Sequence, residues 1–202
     1  MHPDLEQAIA SLLSKTKTNT LLQARKDLTE KYQGKAPPMN ELECLAYLGA
    51  RMPATYAVLS QIMHALPIQP RSLLDLGSGP GTALWAASAC FPSLETIIAY
   101  EQNPLLIDIG AKLAKTAPFP ALLKTTWQHH NLATSTTLPK NDLVVLSYVI
   151  GELAPETIPT LIDLAWNATT ELLLIVEPGT PKGFERIRAV RDQLIKRGGF
   201  IV

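Results

Sequence analysis

The most informative segment of this chain is Ser72-Leu73-Leu74-Asp75-Leu76-Gly77-Ser78-Gly79-Pro80-Gly81, where a short apolar strand runs into a loop of three glycines. A helical pattern over Thr82 to Cys90 follows directly. Glycines tolerate positive φ and let a ligand approach the backbone, and the N–H groups at a helix start attract electron-rich groups. This strand–loop–helix order predicts a nucleotide-type ligand at the carboxyl ends of parallel strands.

A second landmark is Glu101, which closes the next apolar run about 20 residues beyond Gly81. An acid at this place accepts hydrogen bonds from ribose hydroxyls. Two ligands suit a glycine loop with such an acid, namely a dinucleotide and S-adenosyl-L-methionine. Asp75 favours the second, because a carboxylate binds the amino group of a methionine moiety but repels a pyrophosphate. The alternative is a glycine-rich turn without a ligand. The predicted cofactor-binding residues of this part are Asp75, Gly77, Ser78, Gly79, Gly81, Glu101 and Gln102.

The rest of the chain alternates strands with helices. After the first strand, strands are predicted at 95–100, 125–130, 142–147 and 172–176, and helices at 104–115, 155–168 and 183–196. This alternation predicts an α/β, doubly wound and mainly parallel sheet with right-handed crossovers. Residues 1–68 read as an N-terminal helical cap, interrupted at 34–38, and residues 69–202 as the cofactor-binding domain. The chain stops at 198–202, where a further strand is expected, so the C-terminal strands are predicted to be missing from a fragment or truncated form.

Further candidate positions lie at or just after the ends of predicted strands. Asn131 and Leu132 follow the third strand, where the amide suits the adenine amine, and a simple turn cap is the alternative. Ser147 is predicted to bind the cofactor. Tyr148 beside it is placed under the transferable methyl group, although an aromatic after a strand is often core. Tyr148 and Glu152 are the catalytic candidates, but an acid such as Glu152 also stabilises a helix start. Glu177 is likewise a candidate for a polar group that faces the substrate, and a simple strand-end turn at Glu177-Pro178-Gly179 is its alternative.

Composition narrows the class of protein. With 202 residues, 47% of them hydrophobic, the chain can bury one main core. Eighteen basic and eighteen acidic residues exclude nucleic-acid binding by bulk charge alone. Cys44 and Cys90 lack disulfide or zinc-site spacing, which favours a reducing, cytoplasmic location. No apolar run suits a membrane span. Adjacent histidines on a strand point to opposite faces, so no metal is predicted at 129–130.

Several strings together resemble the small-ribosomal-subunit methyltransferase-like family, known from mitochondrial ribosome assembly and with bacterial relatives. The most particular are Ser-Tyr-x-x-Gly-Glu-Leu at 147–153 and Glu-Pro-Gly-Thr-Pro-x-Gly-Phe at 177–184. Others are the glycine-loop segment 74–87 and, in the cap, Tyr47 with Arg51-Met52-Pro53-Ala54-Thr55-Tyr56. The resemblance covers roughly residues 45–197 and suggests a bacterial member. It implies a class I methyltransferase fold, S-adenosyl-L-methionine binding and a role with the small ribosomal subunit in translation. The family's cysteine-rich C-terminal region has no counterpart here, so no metal site is predicted.

Two functions stay open at this point. One is an enzyme that methylates RNA, with rRNA as the first candidate. The other is an assembly factor that binds S-adenosyl-L-methionine without transferring its methyl group. A small-molecule methyltransferase is a weaker third. No Asn/Asp-Pro-Pro-aromatic string follows the fourth strand, which makes methylation of an exocyclic amine of a base less favoured. No cysteine stands where C5 methylation of a pyrimidine would need one, which disfavours that reaction too. The basic residues after Lys182 suit rRNA phosphates or a solvated helix surface.

Overall fold

The computed structural model describes residues 1–31 and 39–202. The predicted interruption at 34–38 lies outside these residues. Four helices come first: α1 (Pro3–Leu13), α2 (Thr18–Lys31), α3 (Glu41–Ala50) and α4 (Met52–Ala65). Helix α3 begins with a capping box, in which Asn40 and Glu43 each bond the other's backbone N–H, and Pro53 stands in the first turn of α4.

Strands and helices then alternate as the pattern predicts. The order is β1 (Ser72–Leu76), α5 (Thr82–Cys90), β2 (Thr96–Glu101), α6 (Pro104–Ala114), α7 (Pro120–Leu123), β3 (Thr126–His129), β4 (Asn141–Ser147), α8 (Ile158–Ala168), β5 (Thr169–Val176) and α9 (Pro181–Lys196). Two single 3₁₀ turns, Leu132–Thr134 and Ile150–Glu152, follow β3 and β4. The predicted elements agree with these bounds to within a few residues, and the short α7 is the one helix that the pattern missed among the described residues.

The five strands form one parallel sheet in the order β3-β2-β1-β4-β5. The prediction of a parallel α/β sheet is therefore confirmed. The chain starts at the centre with β1, moves outward to β3 and then returns to the other side of β1 with β4. This reversal opens a crevice between the carboxyl ends of β1 and β4, which is where open α/β sheets place their ligands. We call the carboxyl ends of the five strands the strand tips.

Alternate residues of the central strands enter two cores, one on each face of the sheet. One core joins Leu73, Leu143 and Val145 to helices α1, α3, α4, α5 and α6. The other joins Leu74, Val144 and Leu146 to helices α8 and α9. Helices α1, α3 and α4 thus share the first core with the sheet and with α5, and α3 and α4 reach the strand tips. The division at residue 68 stays a prediction.

Two further observations concern the described part of the chain. None of its helices combines the length and the apolar character that a bilayer crossing requires. Cys44 is buried and Cys90 partly exposed, and both are free thiols. After α9 the backbone ends without another strand in residues 197–202, whose Phe200, Ile201 and Val202 are exposed.

Candidate active site

The glycine loop between β1 and α5 is fixed onto the tip of β2. The N–H groups of Gly77 and Ser78 both donate to the Tyr100 carbonyl, at 2.8 and 2.9 Å. The Gly81 N–H then donates to the Ser78 carbonyl at 2.9 Å and closes the loop into α5. These three bonds hold the loop in place through its own backbone groups.

The loop glycines serve different purposes. Gly77, Gly79 and Gly81 all have positive φ, at 77°, 54° and 85°. A Cβ on Gly77 would meet Val149 Cγ2 at 2.6 Å, and one on Gly81 would meet Trp127 Cη2 at 3.0 Å, so both positions are dictated by packing. Among the described residues, no atom lies within 4 Å of the position that a Cβ on Gly79 would take. Gly79 therefore borders open space at the strand tips, the place predicted for the cofactor.

Glu101 is held against this loop. Its residue is only 8% exposed, Oε2 accepts from the Gly79 N–H at 2.8 Å and Oε1 accepts from the Asn103 N–H at 2.8 Å. Each carboxylate oxygen has two lone-pair directions, so both keep capacity for a second donor such as a ribose hydroxyl. The predicted acid is thus present at the loop, with its orientation set by two backbone groups.

Asn103 joins three parts of the molecule. Besides its bond to Glu101, its Oδ1 accepts from Leu105 N–H at 3.0 Å and caps α6. Its Nδ2 donates to the Met39 carbonyl, also at 3.0 Å, just ahead of α3. The acid at the glycine loop is therefore connected to the helical cap through one buried amide.

A small cavity of about 30 Å³ lies between the glycine loop and the cap. Its walls bring together five of the predicted residues, namely Asp75, Gly77, Ser78, Gly79 and Ser147. Asp75 is 1% exposed, and within the described residues its Oδ2 has no hydrogen-bond partner; nor do the hydroxyls of Ser78 and Ser147. Buried polar atoms are normally bonded, so this cluster is suited to a polar ligand.

The electrostatics of Asp75 agree with that role. Burial, and then the negative charge of Glu101, raise the pKa of Asp75 to about 8. A cationic group that entered the cavity would provide a counter-charge for Asp75, would lower its pKa and would favour the ionised carboxylate. The site can therefore bind an ammonium group.

Five residues of the cavity wall were not predicted as site residues, and three of them belong to the cap: Tyr47 on α3 and Thr55 and Leu59 on α4. Tyr47 and Thr55 occur in one of the strings that carry the family resemblance, which was the only signal for them. Helical periodicity indicates which face of α4 turns inward, but it does not tell which inward residues pack in the core and which line a cavity. Thr82 and Ala83, at the start of α5, complete the wall.

The tips of β4 and β5 carry the two catalytic candidates. Tyr148 has a φ of 60°, the one positive value at a non-glycine residue in the described chain, and its N–H donates to the Val176 carbonyl at 2.8 Å. Such backbone strain persists only where surrounding structure enforces it, and it concentrates at functional sites. The Tyr148 side chain packs against the core on the cap side of the sheet, and burial followed by the charge of Glu177 raises its pKa.

Glu152 lies in the 3₁₀ turn after Tyr148 and does not line the cavity. Glu152 is exposed as a residue. Desolvation by neighbouring groups, and then the charges of Glu101 and Glu177, raise the pKa of its carboxyl to about 7, and Arg51 opposes this effect. A carboxyl that titrates near neutrality at the edge of a site is suited to proton transfer.

Glu177 positions this turn. Its side chain is 1% exposed, Oε1 accepts from the Ile150 N–H at 3.0 Å, and Oε2 lies 3.7 Å from Arg186 NH1 on α9. Burial raises the pKa of Glu177, while the Gly151 N–H and the Arg186 charge lower it. Glu177 thus links the turn after β4 to α9, and its role towards a substrate stays a prediction.

The other predicted cofactor residues lie at the tips of β2 and β3. The Gln102 residue is exposed, and its carbonyl oxygen lies 2.9 Å from His129 Nε2. Asn131 Oδ1 accepts from the Ala133 N–H at 3.0 Å, which is the turn cap weighed as its alternative, and Leu132 is buried. The roles of Gln102, Asn131 and Leu132 in cofactor binding stay predictions. No group of three or more metal-ligating side chains occurs in residues 1–31 and 39–202.

Comparison with known proteins identifies the family. The model of the family described as mitochondrial small ribosomal subunit Rsm22 matches residues 41–202. The chain belongs to the Rsm22 family. The family predicted from the sequence is thereby confirmed, and the match begins at α3, so it includes the cavity wall on α3 and α4.

Two relatives extend this result for the Rsm22-family chain. The human mitochondrial ribosome assembly protein METTL17 is 26% identical over 161 residues, which are 75% of this chain and 35% of METTL17. The mitochondrial Rsm22-cox11 tandem protein 2 of Schizosaccharomyces pombe is 27% identical over 188 residues, 79% of this chain and 23% of that protein. The chain thus spans about a third or less of the length of these relatives.

Solved structures define the fold. An O-methyltransferase family protein from Burkholderia thailandensis superposes with a TM-score of 0.61 at 17% identity, covering 77% of this chain and 52% of that one. The amino pentose methyltransferase CalS10 from Micromonospora echinaspora, with SAM bound, gives 0.53 at 16% identity, covering 75% and 61%. The Rsm22-family chain therefore has the class I methyltransferase fold, as its sequence predicted.

Proposed function

We propose that this Rsm22-family chain binds S-adenosyl-L-methionine across the strand tips and acts as a methyltransferase with the small ribosomal subunit, on or with its rRNA. The observation that carries the cofactor is the buried Asp75 carboxylate, whose Oδ2 has no partner among the described residues, beside the open space at Gly79. The ammonium group of the cofactor suits Asp75, and its ribose suits Glu101. CalS10, which shares the fold, is solved with SAM bound.

When bound, the cofactor supplies a methyl group on a sulfonium. Asp75 binds the amino group, Glu101 orients the sugar and Ser147 lies at the tip of β4 beside the cavity. Tyr148, in its strained backbone conformation, and Glu152, whose carboxyl titrates near neutrality, are placed to orient an acceptor and to take a proton from it.

The ribosomal part of the proposal rests on the family and on α9. METTL17 is named as a ribosome assembly protein. Helix α9 begins beside the Glu152 turn and exposes Phe184, Arg188 and Arg191, which suit base stacking and phosphate contact. Acidic neighbours such as Asp192, 3.2 Å from Arg191, limit the positive charge of this surface.

Cofactor binding is tested by calorimetry of the wild-type chain with S-adenosyl-L-methionine. We expect the wild type to bind. Asp75→Asn should bind roughly tenfold or more weakly, because a neutral amide cannot form an ion pair with the ammonium group. Asp108→Asn, at an exposed position on α6, is the matched control and should bind as the wild type does. Wild-type protein that is folded but does not bind would overturn the proposal.

Catalysis is tested with tritiated cofactor and immature small-subunit rRNA. Incorporation of label that Glu152→Gln reduces would support methyl transfer. Cofactor binding without incorporation, by the full-length protein, would instead support the alternative of a non-catalytic assembly factor.

A further inference from the structure

The wall of the 30 Å³ cavity comes from two separate parts of the chain. One part is the glycine loop with Asp75, Ser78 and Ser147 at the tips of β1 and β4. The other part is the cap, which contributes Tyr47 from α3 and Thr55 from α4. Helices α3 and α4 share a hydrophobic core with α5, the helix that follows the glycine loop.

The polar side chains of this wall carry one acidic group and otherwise only hydroxyls. The wall holds one carboxylate and no cationic side chain among its described residues, and its remaining polar side chains are hydroxyls: Tyr47, Thr55, Ser78, Thr82 and Ser147. Hydroxyls are donors and acceptors, whereas an ionised Asp75 only accepts. A ligand that complements this wall carries a cation for Asp75 and an anion for the hydroxyl groups. An α-amino-carboxylate has this pair of charges on groups that share one carbon atom.

We propose that the cap completes the cofactor site, with the Tyr47 and Thr55 hydroxyls donating to the carboxylate of the methionine moiety while Asp75 accepts from its ammonium group. This assignment rests on the proposed function and deepens it, because it gives two helices outside the sheet a direct part in ligand recognition.

Two properties of the described residues support the assignment. Burial, and then the charge of Glu152, raise the pKa of Tyr47 to about 12, against the effect of the Thr82 and Thr55 hydroxyls, so the phenol keeps its proton at pH 7 and can donate. The cavity has room for about two water molecules, far less than the methionine moiety needs. A methionine moiety seated here would therefore lie against the cap side chains that line the wall.

The test compares two ligands that differ only in the carboxylate, S-adenosyl-L-methionine and its decarboxylated form, in binding to the full chain. Tyr47→Phe should weaken binding of the first by roughly tenfold or more and leave binding of the second within about twofold of wild type. Thr55→Val should behave in the same way with a smaller loss. Asp75→Asn should weaken both ligands, because both retain the ammonium group.

Tyr56→Phe is the matched control, since Tyr56 is a buried tyrosine of α4 that does not line the cavity. It should bind both ligands as the wild type does. Equal binding of S-adenosyl-L-methionine by wild type, Tyr47→Phe and Thr55→Val would overturn the inference and leave the proposed function intact. Equal losses for both ligands would also overturn it, because the hydroxyls would then not act on the carboxylate. If wild type binds neither ligand, the proposed function itself fails.

If Tyr47→Phe does not fold, as judged by circular dichroism, Thr55→Val alone decides, since valine has nearly the same shape as threonine and lacks only the hydroxyl.

Discussion

The two halves of the strand tips are positioned by different kinds of interaction. On the β1–β2 side, backbone N–H groups do the positioning: the glycine loop bonds Tyr100, and the N–H groups of Gly79 and Asn103 fix Glu101. On the β4–β5 side, positioning depends on side chains and strain, with Tyr148 at positive φ and Glu177 holding the next turn against Arg186. The first side is suited to hold one constant ligand. The second carries a carboxyl, that of Glu152, whose protonation changes near neutral pH, and is suited to an acceptor.

The largest expected effect comes from Gly79→Arg on the β1–β2 side. The side chain would occupy the open space at the loop and should weaken S-adenosyl-L-methionine binding by roughly 100-fold or more, measured by calorimetry. Gly198→Arg is the control, since Gly198 also has positive φ and open space within 4 Å of where a Cβ would lie, but it follows α9. An unchanged affinity in Gly79→Arg would show that the ligand does not lie along the loop.

The pH dependence of binding should be the next largest effect. Since burial and Glu101 raise the pKa of Asp75 to about 8, its carboxyl is protonated below that pH and must lose the proton to accept from an ammonium group. Affinity for S-adenosylhomocysteine should therefore increase as pH rises from 6 to 8, by up to about tenfold per pH unit, and level off above pH 8. Asp75→Asn should lack this dependence. A profile shared by both proteins would assign the titration to another group.

Glu101→Ala should weaken binding of both S-adenosyl-L-methionine and plain adenosine by about 1–3 kcal/mol, because the ribose hydroxyls lose their acceptor. Asp75→Asn should leave adenosine binding unchanged, since adenosine has no amino acid moiety. This contrast, measured by calorimetry, separates the sugar end from the amino acid end. Adenosine binding that is insensitive to Glu101→Ala would remove the carboxylate from the sugar site.

The smallest expected effect tests the β4–β5 side through stability. Arg186→Gln removes the cation beside Glu177, whose side chain is nearly fully buried, and should lower the free energy of unfolding by about 1–2 kcal/mol. Arg188→Gln, at an exposed position on the same helix, should change it by less than about 0.5 kcal/mol. Both are measured by urea denaturation. Equal stabilities would mean that Arg186 does not balance the buried charge.

The sequence predicted the glycine loop and its acid more fully than the cap residues and the β4–β5 side, for a physical reason. The loop and its acid are specified by local signals, a strand ending in Asp75 and glycines at fixed spacing. Tyr47 and Thr55 lie on helices whose inward faces are marked only by apolar periodicity, which does not identify polar residues that face a cavity. The link between Glu177 and Arg186 depends on how α9 returns to the β4 turn, which residue spacing does not reveal.

Asn103 connects the cap to Glu101, the acid proposed to bind the ribose. Because the same side chain bonds the Met39 carbonyl and caps α6, while its N–H bonds Glu101, the segment ahead of α3 and the Glu101 carboxylate are linked through one residue. In the proposed cofactor complex, a displacement of α3 at the methionine end would therefore act on Glu101 at the ribose end.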